Sequence, residues 1–174
     1  MKKTLLFAFA VMACLSFNSC DVFEDNIVNT TETTVGYSDG TLIYSISSYN
    51  PNQNGSAGVK GCNPASVEVV IPSCIRANGN LFDVTSIRND AFVGCTLLEK
   101  VTIPSKVAEI RYNAFYECTS LKNVYILASL PPTLTSNSFG AIEGATLHVV
   151  KGSKKYYENS SWKKFFNEIV EDAK

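Results

Sequence analysis

Val69, Val101, Val124 and Leu147 each stand two residues before a second aliphatic side chain, respectively Ile71, Ile103, Ile126 and Val149. Alternation of this kind puts the paired aliphatics on the inner face of a short strand and the residue between them on the outer face. The intervals between equivalent positions are 32, 23 and 23 residues. The surplus in the first interval falls within 74–83, CIRANGNLFD, whose Asn-Gly predicts a hairpin excursion. A second set keeps the 23-residue spacing, Ile87 with Ile110, Phe92 with Phe115, Cys95 with Cys118 and Leu98 with Leu121, and Phe139 matches Phe115 more loosely at 24. Asn89-Asp90 predicts a cap for a short turn of helix carrying Ala91 and Phe92, with Gly94 to end it. Pro104 lacks an amide proton and stops the strand before it. One such coil cannot bury its own apolar side, whereas coils stacked at about 4.8 Å share one continuous core. The predicted fold is an α/β repeat solenoid of about four 23-residue coils, each giving one strand to a parallel sheet.

Solenoid ends expose their interior unless something covers them. At the N-terminal end, Asp39-Gly40 precedes the alternating strand Leu42 to Ile46, which predicts a hairpin cap. Residues 50–58, NPNQNGSAG, read as a loop by composition, with Val59 on a short strand after it. At the other end, Trp162, Phe165, Phe166 and Ile169 recur at i, i+3, i+4 and i+7, predicting a capping helix within 154–174 with Ser160 or Ser161 as N-cap.

The run Ile-Arg-x-x-Ala-Phe-x-x-Cys-Thr-x-Leu-x-x-Val-x-Ile-Pro, residues 87–104, resembles the BspA-type leucine-rich repeat of many Bacteroidetes surface proteins. Val84-Thr85-Ser86-Ile87, Leu130-Pro131-Pro132, Leu147-His148-Val149 and Trp162-Lys163-Lys164-Phe165 extend the resemblance to about 40–172. Leu127 and Val150 depart from it, standing where the family usually has Pro. The resemblance implies a non-catalytic surface module associated with adhesion to host extracellular proteins and to other bacteria. A fold by itself does not fix a ligand.

The first 19 residues do not belong to this core. Met1-Lys2-Lys3 is a basic head and 5–15 an apolar run, too short to span a membrane and shaped like an export signal. Phe17-Asn18-Ser19-Cys20 resembles a bacterial lipoprotein processing site, with Cys20 as the acylated residue, and the acids Asp21, Glu24 and Asp25 resemble a Bacteroidetes surface-export signal. Cys14 is the rival acceptor, and a plain cleaved secretory peptide the simpler alternative. The expected organisation is a leader over 1–19, a Thr- and Asn-rich flexible tether over 20–36 and the repeat domain over 37–174. The expected location is the outer membrane, held there by acyl chains alone and facing the cell surface, with a periplasmic orientation as the alternative.

Composition narrows the partner. Without residues 1–19 the chain has 13 basic and 16 acidic side chains, which offers no footprint for nucleic acid. Six cysteines form no C-x-x-C pair and accompany a single histidine, so neither a metal site nor a cofactor is expected. Cys95 and Cys118 share a repeat position and lie within bridging reach. In an exported protein Cys62–Cys74 is the first pair to test, and stacked buried thiols are the alternative. The carboxylates Asp83, Asp90, Glu99 and Glu109 come at no offset that converges them, and no nucleophile motif accompanies His148, which is expected on the exposed surface. The outward strand positions form two columns, Glu68, Lys100, Asn123, Thr146 and Val70, Thr102, Tyr125, His148. Of these, Glu68, Lys100, Thr102, Asn123, Tyr125 and His148 are the candidate contacts for an extracellular protein partner, unless the face is simply solvated. The alternative function is a glycan-binding accessory lipoprotein of an outer-membrane uptake system.

Overall fold

The computed structural model describes residues 27–28, 36–46, 55–140 and 142–173. The expected leader, Cys14, Cys20, most of the tether and residues 50–54 lie outside them. Strand β1 (Ile27–Val28), inside the stretch read as tether, pairs antiparallel with β2 (Gly36–Ser38), and β2 pairs antiparallel with β3 (Leu42–Ile46). The expected hairpin is there, its turn held by Asp39, whose Oδ1 accepts from the amides of Thr41 and Leu42 at 2.7 and 2.6 Å. β3 continues antiparallel onto β4 (Gly55–Cys62). Residues 55–58 are therefore strand and not loop. Their small side chains reflect close packing: a Cβ on Gly55 would enter the Phe82 ring, and one on Gly58 would lie 2.7 Å from Ser86 Oγ.

From β4 the chain coils. After β5 (Glu68–Val70) comes the hairpin of β6 (Cys74–Ala77) and β7 (Asn80–Ile87). Its turn residues Asn78 and Gly79 both take positive φ, 48° and 75°, as the Asn-Gly signal requires. β8 (Lys100–Ile103), β9 (Glu109–Ile110), β10 (Asn123–Ile126), β11 (Thr133–Leu134) and β12 (Thr146–Val150) then alternate between two sheets. One sheet carries β4, β7, β9 and β11 in parallel, with β3, β2 and β1 added antiparallel at its outer end. The other is parallel throughout and stacks β5, β8, β10 and β12 so that Val69, Val101, Val124 and Leu147 are direct partners. All four are at most 1% exposed.

The third side of each coil is a turn, not the expected short helix. Asp90 takes φ 58°, outside the helical region, as do Asn113 at 52° and Asn137 at 63° one and two coils on. Besides their internal bonds, the turns hydrogen-bond to one another: the amides of Phe92 and Gly94 donate to the carbonyls of Ala114 and Tyr116 at 2.8 and 3.0 Å. Phe92, Phe115 and Phe139 consequently stack face to face, with centroids 4.6 and 4.9 Å apart and planes within 13° and 3°. Each is buried, worth about 1.5–3 kcal/mol by area alone.

The C-terminal cap is also not the predicted helix. A single helical turn α1 (Lys154–Glu158) is followed by a 3-10 turn, Ser161–Lys164, and by strand β13 (Glu168–Ala173). Ser160 does act as a cap, its Oγ accepting from the Trp162 amide at 3.3 Å. Trp162 and Phe166 close the column against Phe139, but Ile169 lies on β13, which adds a fifth parallel strand beside Leu147. The open edge of β12 takes up the backbone of a β-branched Ile-Val pair, and that pairing outweighs the helical spacing. Trp162 Nε1 donates to the Pro132 carbonyl at 2.8 Å and Tyr157 OH to that of Ala128 at 2.7 Å, fastening the cap to the preceding coil.

Cys62 is bonded to Cys95, and Cys74 is also in a disulfide, so neither Cys62–Cys74 nor Cys95–Cys118 is formed. The reason is the direction of β4. It starts beside Phe82, near Cys74 at the base of the hairpin, and runs away past Ile87 to end at Cys62 near the turn that holds Cys95. Cys118 is a buried free thiol that donates to the Phe92 carbonyl at 3.0 Å.

Two stability predictions follow from these turns and this thiol. Glu117 takes φ 60° at the position equivalent to Gly94, so Glu117→Gly should raise the unfolding free energy by about 0.5–1 kcal/mol, read as a higher urea midpoint. Burial pushes the Cys118 thiol from 9.0 up to about 12, and burial raises Tyr157 in the same direction. A raised acid favours the fold only while it stays protonated, so stability should be full below pH 9 and fall as the pH climbs towards 12. Urea midpoints at about pH 8 and pH 10.5 test this, and the drop should shrink in Cys118→Ala.

Candidate functional site

On the outward face of the parallel sheet the two columns stand in register: Glu68, Lys100, Asn123, Thr146 and Glu168 in one, Val70, Thr102, Tyr125, His148 and Val170 in the other. Each position projects outward because its neighbours, the Val and Ile of the core, point in. The six predicted residues form one connected group. Lys100 Nζ meets Glu68 Oε1 at 2.7 Å and lies 5.2 Å from the centre of the Tyr125 ring. The hydrogen bond to Glu68 foremost, with the charge of that carboxylate, outweighs partial burial and holds the ammonium above the ordinary lysine value. The opposite face of Tyr125 stacks on His148, centroids 4.1 Å apart and planes within 10°.

His148 is not the exposed side chain its outward position predicts. It is 9% exposed, covered by Tyr125 on one side and gripped at both nitrogens. Nδ1 donates to Asp172 Oδ1 at 2.8 Å, and Nε2 lies 3.0 Å from Asn123 Oδ1. An imidazole fixed in this way is a structural spacer that sets the angle of Tyr125. Thr102 is likewise buried, between Val70 and Tyr125, and gives the face part of its floor.

Beside the group opens a shallow cleft of about 330 Å³ with Val70, Tyr125 and Leu127 as its apolar surface and Glu68, Lys100 and Asp172 as its charges. Since both faces of Tyr125 are occupied, the ring meets the cleft by its edge and its hydroxyl. Val70 is 57% exposed and carries the apolar surface out to the end of the sheet. Asp172 and Leu127 are members that the sequence pattern missed. Asp172 lies two residues beyond Val170 on the same face, a relation visible only once 168–173 is known to be strand.

The match to known families covers this framework. The BspA type leucine-rich repeat region matches residues 78–165 in six copies. No curated protein matches the sequence significantly. Among solved structures, a leucine-rich repeat protein from Bacteroides capillosus is 19% identical with a TM-score of 0.50, over 79% of this chain and 99% of that one. A leucine-rich cell surface protein from Faecalibacterium prausnitzii is 19% identical with a TM-score of 0.46, over 81% of this chain and 34% of that one. The pneumococcal vaccine antigen PcpA is 14% identical with a TM-score of 0.44, over 82% and 39% respectively, so this chain spans well under half of either longer protein. With the repeat spacing, the in-register sheet and the family match in agreement, this chain belongs to the BspA-type leucine-rich repeat family.

Proposed function

We propose that the protein is a non-catalytic interaction module displayed on the outer membrane by lipid on Cys20, and that it adheres to an extracellular protein through the outward strand face. The observation that carries this reading is the continuous row Glu68–Lys100–Tyr125–His148, held in register over four coils and bordered by an open cleft. Protein contacts favour such a surface: an aromatic edge and hydroxyl at its centre, apolar Val70 and Leu127 around it, charges at the margin. A glycan platform needs a bare aromatic face, and Tyr125 offers none, since Lys100 and His148 cover both. Adhesion rather than a soluble role is supported by the leader and Cys20, because acyl chains confine the module to the surface and raise its local concentration.

Binding of the 21–174 fragment to a panel of immobilised extracellular-matrix proteins tests the face. Lys100→Ala with Asn123→Ala should weaken the interaction about tenfold, about 1.4 kcal/mol, in a variant that still melts in one cooperative transition. Unchanged binding would move the contact surface elsewhere. Metabolic palmitate labelling should survive Cys14→Ser and vanish in Cys20→Ser, and the reverse pattern would overturn the choice of anchor.

A further inference from the structure

The C-terminal cap concentrates positive charge in one short segment. Residues 151–165, KGSKKYYENSSWKKF, hold five of the chain's 15 cations and one acid. All five lysines are exposed. On the coils Lys100 meets Glu68, Lys106 meets Asp83, Arg111 meets Glu109 and Lys122 meets Glu99, each within 3.3 Å, while Lys60, Arg76 and Arg88 stand apart from one another along the chain without an ion pair among the described residues. On the cap only Lys154 meets a carboxylate, Glu158 at 3.9 Å. Among the described residues, Lys151, Lys155 and Lys163 have no carboxylate within ion-pair distance, and Lys164 lies over the Phe165 ring at 4.6 Å.

The same segment surrounds a cleft of about 630 Å³ lined by Pro131, Gly152, Lys155, Tyr156, Asn159 and Ser160. Tyr156 is 55% exposed, and Leu130, beside Pro131, is 64% exposed. Unlike Tyr125, Tyr156 has no ring or cation stacked on it among the described residues. A concave site with an open aromatic ring, an amide, a hydroxyl and an unpaired ammonium is suited to a sugar ring bearing negative charge. The ring packs against the apolar face of the sugar, the amide and hydroxyl meet its hydroxyls, and lysine meets the anion. Lys151 next to Gly152 and Lys163 three residues after Ser160 extend the positive field to neighbouring units of a chain.

We propose that the C-terminal cap is a second binding surface, taking an acidic polysaccharide whose sugars carry carboxylate or sulfate. It lies on different residues from the protein-binding strand face and does not depend on that reading.

Immobilised heparin and polygalacturonate probe the sulfated and carboxylated forms, with dextran as the uncharged control and vesicles of phosphatidylcholine with phosphatidylglycerol as the lipid arm. The 21–174 fragment should bind one or both acidic polymers at low ionic strength, ignore dextran, and bind about tenfold more weakly at high salt. Lys155→Glu with Lys163→Glu should weaken binding by about tenfold or more, and Tyr156→Ala should weaken it even where charge is kept. Lys100→Ala with Asn123→Ala should leave it unchanged. Lys155, Tyr156 and Lys163 are exposed, and a cooperative melting transition certifies the fold of each variant. Loss with the strand-face variant instead, indifference to the cap variants, or binding confined to the vesicles would each overturn the proposal.

Discussion

The structure rests on the parallel ladder that joins β5, β8, β10 and β12 with no residue of slip between them. A shift of one residue in any strand would turn its Val and Ile to water and drive Lys100, Thr102 or Tyr125 into the interior, which is why the register is unique. The same ladder repeats on the other two sides of each coil, through β4, β7, β9 and β11 and through the amides of the stacked turns. On all three sides backbone groups of each coil are satisfied by the next, so no coil is complete alone.

The ends show what happens when that supply of neighbours runs out. At one end the hairpin of β2 and β3 turns the parallel sheet antiparallel and closes it with buried Leu42 and Tyr44. At the other, the face-to-face column of phenylalanines gives way to tilted and edge-on contacts, 51° to Trp162 and 67° to Phe166. A flat stack could be extended indefinitely, whereas an edge-on ring presents no equivalent face for another layer. The indole and phenol of the cap finish the closure by occupying carbonyls of the preceding loop.

Two surfaces of different chemistry emerge from this frame. On the strand face Lys100 meets Glu68, His148 meets Asp172, and the Tyr125 ring lies between Lys100 and His148. A surface of that kind is preorganised and loses little freedom on docking. The cap leaves Lys151, Lys155 and Lys163 without a carboxylate partner among the described residues, and Tyr156 is 55% exposed. Their separation follows from the repeat, which imposes in-register pairing on the coils and releases the capping segment from it.

Legibility in the sequence tracks how local the deciding interaction is. The 23-residue period, the inner Val and Ile positions, the Asn-Gly hairpin and the partners of every outward column were readable, because periodic burial leaves a periodic trace in the chain. Of the six predicted contacts Thr102 and His148 are buried, and the burial of His148 depends on Tyr125 stacked on it and on Asp172 in a strand that the helical spacing of Trp162, Phe165, Phe166 and Ile169 concealed. Left-handed turns in place of helix, strand at 55–58 in place of loop, and Cys62 joined to Cys95 all have the same origin. Each was settled by a partner more than twenty residues away, and local propensity carries no record of what a distant coil will place alongside.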